Sequence, residues 1–432
     1  SNPLSPEQVH VQALADFASE IHKKTQQFSL SESLDDFRKL LSDINFYRLN
    51  WVWGGGIDGT VLDALPPNFL HTQSAQDVLM HLSSVTGFMS FILYDVRLSI
   101  HLYLLAYHAL KGSSLDPWQT KIEEMANISV YERLQAQWKL RQYDIFNDFF
   151  WSSANMACFL WLIQEGVFGC TAYMGNILTM VLLLMDLRLT YCRYQADKAD
   201  YKESEVQYTK DIDAIKDKIA SHSLTMDEKA VLKEHLEILM EAQKNCSLEW
   251  TYKEKQYQCE LLYCMGLIAA FSIMCCLFFP PAGILPASVL LFAIVGSALS
   301  CLLTILYHAL ETTIKIEHCG ALQTEAHKKI KELNDNLEKE TDSDQKNIMS
   351  LKINQQLKEE QFQGRMIRFH QTARMTQVIS ETLLPASVLA CLVLLPVSAA
   401  LPILIPIIAL LLLSSTIVER YNPKHEMLAL QS

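Results

Sequence analysis

Charge is scarce in this sequence. Only 19% of the residues are Asp, Glu, Lys or Arg, against 50% hydrophobic. The charge that is present stands in blocks, separated by long stretches almost empty of it. That pattern argues against one averaged soluble core and for a membrane protein. Basic residues are outnumbered, with a net charge of −12, and no basic stripe with interleaved aromatics is present, which argues against nucleic acid as a partner. The opening "SNPLSPEQVHVQ" shows no basic region followed by an apolar core. No cleavable signal peptide is expected there, and insertion would use internal segments. The 11 cysteines include no CxxC pair and no zinc spacing, so neither a disulfide framework nor a metal site is expected. Cys275, Cys276, Cys301 and Cys391 lie in apolar blocks, where they act as small hydrophobes and stay reduced. Catalytic signatures are also missing: there is no nucleophile elbow, HExxH, P-loop, EF-hand or paired carboxylates. The glycines of "WVWGGGIDGT" (51–60) are followed neither by a lysine nor by GxGxxG spacing, so a turn is expected. The expectation is a protein without enzymatic activity or cofactor.

What is present reads as helix throughout. In the N-terminal region 1–76, Val11, Leu14, Phe17 and Ile21 recur at helical spacing, and Ser33 with Asp36 forms a capping-box pattern. Segment 77–110 is apolar but interrupted by His81, Asp95, Arg97, His101 and His108. It fits one tilted span, an interfacial helix or a shallow hairpin. Residues 111–148 form a polar, helical connector. Three further apolar blocks, 149–191, 258–310 and 381–418, are each about two spans long, with a break near Glu165, Pro280 and Pro396 respectively. They read as membrane hairpins.

Between the hairpins lie two charged arms, 192–257 and 311–380. In the first, Tyr208, Ile212, Ile215 and Ile219 form a stripe, Thr225 and Glu228 a capping box, and Leu232, Leu236, Leu239, Ala242 and Cys246 a second stripe. In the second, Leu322, Ala326, Ile330, Leu333 and Leu337 are answered by Met366, Phe369 and Ala373, with Thr341 and Asp344 as another capping box. Each arm is an antiparallel helical hairpin, and limbs of about 30 residues reach ~45 Å. The far-side turns contain no Lys or Arg, whereas each arm contains 11. The positive-inside rule therefore places both arms and the C-terminal tail 419–432 on the cytoplasmic side. The fold class is all-α: a polytopic helical membrane protein with transmembrane hairpins and two long cytoplasmic antiparallel coiled-coil arms.

"LPASVL" occurs at 285–290 and again at 384–389. Proline is tolerated in a first helical turn, where its missing N–H has no partner to lose. Both copies read as a helix-opening device, pointing in opposite directions across the membrane.

Two motifs carry charge to the edge of apolar sequence. "YDVRLS" supplies Asp95 and Arg97, and "MDLRLT" supplies Asp186 and Arg188. Residues two apart do not face each other on a helix. Cross-hairpin pairing of Asp95 with Arg188 and of Asp186 with Arg97 is one reading; span-ending residues at headgroup level is the other. The matching "YHAL" tetrapeptides place Tyr107, His108, Tyr307 and His308 at block ends, as expected of interface anchors.

Paired spans joined by a tiny turn, at 149–185, 261–310 and 383–415, flank these cytoplasmic coiled coils. The arrangement resembles the bilobed hydrophobic hairpins of inclusion-membrane proteins and other secreted effectors of intracellular bacteria. The resemblance is architectural and implies no functional residues. The leading expectation is membrane-associated assembly, with the bilayer as one partner and a second copy or a helical protein, bound through the arms, as another. The alternative is an ion or small-solute channel or transporter, drawing on the charged motifs, Glu165 and the proline-broken spans. Hairpins 261–310 and 383–415 count against it, because they contain almost no ionisable residue to line a path.

Overall fold

The computed structural model describes residues 33–42, 44, 45, 48, 49, 51–111, 128–163, 170–220, 225–275, 286–339 and 343–423. The stripe Val11–Ile21, the breaks at Glu165 and Pro280, and Thr341 of the last capping box lie outside them. The described residues are helical and hold no strand. After short helical segments at 33–42 and 51–64 come seven helices. They are α1 (Thr72–Lys111), α2 (Val130–Ile163), α3 (Cys170–Ala220), α4 (Met226–Cys275), α5 (Pro286–Leu337), α6 (Ser343–Leu394) and α7 (Val397–Arg420). The chain divides into two compact units, Ser1–Val52 with Met80–Leu182, and Trp53–Leu79 with Leu183–Ser432.

In the first unit, Leu41, Leu93, Ile100 and Leu104 form a core, with Leu34 and Val96 against it. α1 is one unbroken helix, which removes the shallow-hairpin option for 77–110. Its C-terminal end is closed by α2: Arg133 Nε donates to the Ala109 carbonyl at 3.1 Å, satisfying a group that a helix end leaves unpaired. α2 opens with a capping box that the sequence reading did not identify. Ser129 Oγ accepts from the Glu132 N–H at 3.2 Å, and Glu132 Oε2 accepts from the Ser129 N–H at 2.8 Å.

In the second unit, α3 to α6 each run without a break from an apolar end to a charged end. At 50 to 52 residues, each is a rod of ~75 Å, and the expected boundaries between hairpin and arm fall inside single helices. α3 and α4 pack antiparallel: Thr190 meets Glu260, Tyr194 meets Glu254, and Thr209 meets Gln243. α5 lies against α4, through Lys255–Glu317 (2.6 Å), Lys244–Glu325 (2.5 Å) and Lys329–Glu241. It also lies against α6, through Cys319 packed with Phe362 and Met366. The two arms are therefore joined along α4–α5, with their charged ends side by side at one end of the bundle. The expected stripes face inward, with Ile212, Ile215, Ala326, Ile330 and Met366 buried. The Thr225–Glu228 box is formed, with hydrogen bonds of 2.9 to 3.3 Å.

Among the described residues, four helices are long and apolar enough to cross a membrane: Thr72–Lys111, Glu228–Met274, Leu290–Leu337 and Gln345–Leu394. A shorter apolar stretch, Val397–Leu411, lies in α7, which turns back on α6 at Pro396.

The two "LPASVL" copies do run in opposite directions, but only the first opens a helix. Pro286 begins α5, whereas Pro385 lies inside α6. A proline there removes the hydrogen bond to the carbonyl four residues back, that of Glu381. The glycine triplet is not a turn either; residues 51–64 are helical. Glycine is needed there for packing: a Cβ on Gly54 would sit 2.3 Å from Cγ of Pro385. Between α4 and α5, Gly296 is comparable, its Cβ position being 2.4 Å from Cγ of Met274.

Candidate functional site

The inner face of α5 is polar where its surroundings are apolar. Ser297, Ser300, Thr304, Tyr307 and Glu311 are spaced alternately by three and four residues, which places them on one face. Ser297 donates to Met274 Sδ at 3.7 Å, Tyr263 OH and Thr304 Oγ1 are 3.0 Å apart, and the Tyr263 and Tyr307 rings stack at 4.4 Å. All three hydroxyl residues, Ser297, Ser300 and Thr304, are buried. Ser300 and Thr304 donate back to the Gly296 and Ser300 carbonyls, so neither is an unpaired polar group.

Beside this stripe, α5 and α6 enclose a charged pair. His308 is 4% and Glu381 5% exposed. His308 Nδ1 lies 2.5 Å from Glu381 Oε1 and 3.0 Å from Gln377 Nε2. Arg374 Nη1 donates to Glu381 Oε2 at 3.1 Å, and its Nη2 donates to the Ile305 carbonyl at 2.8 Å. Arg374 thus fixes one carboxylate oxygen and leaves the other against the imidazole. In one arrangement Nδ1–H donates to the carboxylate; in the other a protonated carboxyl donates to Nδ1. A proton can pass between them without either side chain moving.

Asp58 comes from the segment 51–64. It is 2% exposed, and its Oδ2 has no hydrogen-bond partner among the described residues. Asp58 stands one turn after Gly54, and Glu381 one turn before Pro385, so both carboxylates flank the same tight contact. Both also act electrostatically on Cys301 of α5.

Towards the charged end, α3, α4 and α5 surround a cleft of about 290 Å³, lined among others by Arg193, Asp197, Lys253, Glu260, Tyr307 and Glu311. Tyr307 and Glu311 belong to the polar face of α5, so the cleft opens onto the upper end of that face.

The first unit holds a separate buried cluster. Arg97 Nη2 lies 2.9 Å from Asp148 Oδ1, and His101 Nε2 lies 3.7 Å from Asp148 Oδ2. Burial pushes the Asp148 carboxyl up to about 6, with Arg97 pulling the other way. Arg97 Nε, both His101 nitrogens and Asp148 Oδ2 have no hydrogen-bond partner among the described residues.

The residues singled out from sequence are distributed as follows. Arg97 has Asp148 as its acceptor. Asp95 and Arg188 are exposed and Asp186 is half-buried; Asp95 and Arg97 stand in the first unit, and Asp186 and Arg188 in the second. His108 and His308 are buried; Tyr107 and Tyr307 are half-buried. No group of three or more metal-binding side chains occurs among the described residues. The sequence reading missed Asp58 because it lies in the glycine-rich stretch taken for a turn, and Glu381 because it stands at the seam of two assigned blocks. The alternating three-and-four spacing of hydroxyl residues through an apolar block was the signal for the α5 face.

The chain matches no protein-family model, no curated protein and no solved structure to which it was compared.

Proposed function

We propose that this chain is an integral membrane protein that holds a rigid charged helical bundle outside the bilayer and serves membrane-associated assembly through it. One observation carries the reading: the apolar ends of the long helices present large side chains outward. Leu262 is 63% exposed, Ile405 63% and Leu410 70%, with Leu291, Leu302 and Leu306 about half exposed. A contiguous apolar surface of this kind is unfavourable in water and matched by lipid. The bilayer core takes up ~30 Å of each ~75 Å rod, which leaves roughly 45 Å beyond the surface.

The charged half supports the assembly part. Its inner stripes are occupied within the chain, while Val231, Ile238, Ile348 and Leu351 remain outward and exposed, a face suited to a partner helix. The membrane reading is tested by flotation of the expressed chain with its host membranes after an alkaline carbonate wash. Retention in the floating fraction is expected, and release into the supernatant would contradict it. Mass measurement in mild detergent tests self-assembly, which a strictly monomeric particle would remove.

A further inference from the structure

We propose that the second unit carries protons through its apolar half, with Asp58 and the Glu381–His308 pair as proton-loading groups and the polar cleft between α3, α4 and α5 as the aqueous mouth. This rests on the membrane reading above and adds an activity to it. The objection raised by the sequence was that hairpins 261–310 and 383–415 contain almost no ionisable residue. The structure brings further groups to them. Asp58 enters from the segment 51–64, and Glu381 with Arg374 from the part of α6 just before residue 383.

Three observations carry the proposal. The first is the polar face of α5, running from the cleft at Glu311 and Tyr307 down through Thr304 and Ser300 to Ser297. Small hydroxyl residues between helices are also common packing elements, so this face alone decides nothing. The second is Asp58, almost wholly buried, within electrostatic reach of Cys301 of α5 and with a carboxylate oxygen unpartnered among the described residues. A structural carboxylate at such a place would be paired, because an unpaired buried charge is costly. A proton site has to alternate between charged and neutral forms, and a permanent counter-ion would prevent that. The third is the His308–Glu381 contact at 2.5 Å, in which a proton has two acceptors within reach.

The groups facing these sites are few. Cys301 of α5 is the titratable neighbour of Asp58. Glu381 is faced by His308 of α5, by Tyr263 of α4, and by Arg374 and Gln377 of its own helix. The step moves one proton and no electrons: a carboxyl O–H breaks as an imidazole N–H forms, and the reverse. Arg374 holds Oε2, so Oε1 is the oxygen that exchanges. Ionisable side chains buried at membrane depth are commonly proton relays or ion paths.

The test uses the full chain in vesicles of phosphatidylcholine and phosphatidylglycerol with a trapped pH dye, and a potassium gradient with valinomycin to set the potential. Flotation of the same vesicles is scored first. Potential-driven proton entry above that of protein-free vesicles is expected. It should be abolished in Asp58→Asn and in Glu381→Gln, and retained in Glu317→Gln, which changes only an exposed pair in the charged half. If the chain floats but proton entry equals that of empty vesicles, or if both carboxylate variants conduct normally, the relay is wrong and the membrane reading stands. If the chain does not float, both fall. Should the carboxylate variants fail to insert, infrared titration of the unaltered protein decides. A protonated-carboxyl band persisting close to neutral pH supports the proposal, and its absence overturns it.

Discussion

Single residues set how closely the helices approach. Gly54 and Gly56 are neighbours in the same helical segment, yet their surroundings differ. A methyl group at Gly54 would strike the rigid ring of Pro385, whereas Gly56 has nothing within 4 Å. Gly54→Ala is therefore expected to destabilise by about 1–3 kcal/mol through overpacking. Gly56→Ala should stabilise by roughly 0.5–1 kcal/mol, because alanine loses less backbone entropy in a helix. Thermal melts in detergent check both, and equal effects at the two positions would rule out the contact.

Arg97 and Asp148 form the residue-scale pair of the first unit. Asp148 is fully buried and Arg97 partly buried, so removing Arg97 alone, which strands a buried carboxylate, should cost up to about 3–5 kcal/mol, and adding Asp148→Asn should restore part of it. Exposed Arg188 should contribute only about 0–1 kcal/mol. Sequence order gave no reason to look 51 positions along the chain for an acceptor of Arg97.

At the scale of elements, much was legible. The inward stripes around Ile212, Ala326 and Met366, the Thr225–Glu228 cap and the return at Pro396 all follow from spacing and helix-end chemistry. Continuity was not legible. Composition changes abruptly near residues 190, 258, 311 and 381, but the backbone does not, because a helix needs only local hydrogen bonds and tolerates any surroundings its faces can match. Pro385 shows the limit: a proline four residues beyond Glu381 reads as a helix start, yet contact with Gly54 accommodates it in the interior of α6. In the charged half, α5 is flanked by α4 and α6. Amides in 311–337 should therefore exchange more slowly than those in 226–240 of α4 or 343–357 of α6. Hydrogen exchange in detergent checks this, and faster exchange in α5 would contradict its central position.

For the whole molecule, four rods of similar length share one polarity pattern. Within the second unit the charged ends of α3 to α6 lie together, and so do the apolar ends of α4, α5 and α6. Soluble bundles bury their apolar faces; this one leaves Leu262, Ile405 and Leu410 outside. On the proposed membrane reading, the positive-inside rule expects the charged ends on the cytoplasmic side, because both arms are rich in lysine and arginine. Positions 223 and 343 would then share a compartment, and position 280 would face the opposite one. The most direct measurement is accessibility of single cysteines, in a background without native cysteines, to a membrane-impermeant thiol reagent in sealed vesicles. Cysteines at Ser223 and Ser343 should be labelled from the same side, and one at Pro280 only from the other. Labelling of 223 and 343 from opposite sides, or of all three from one side, would contradict the account.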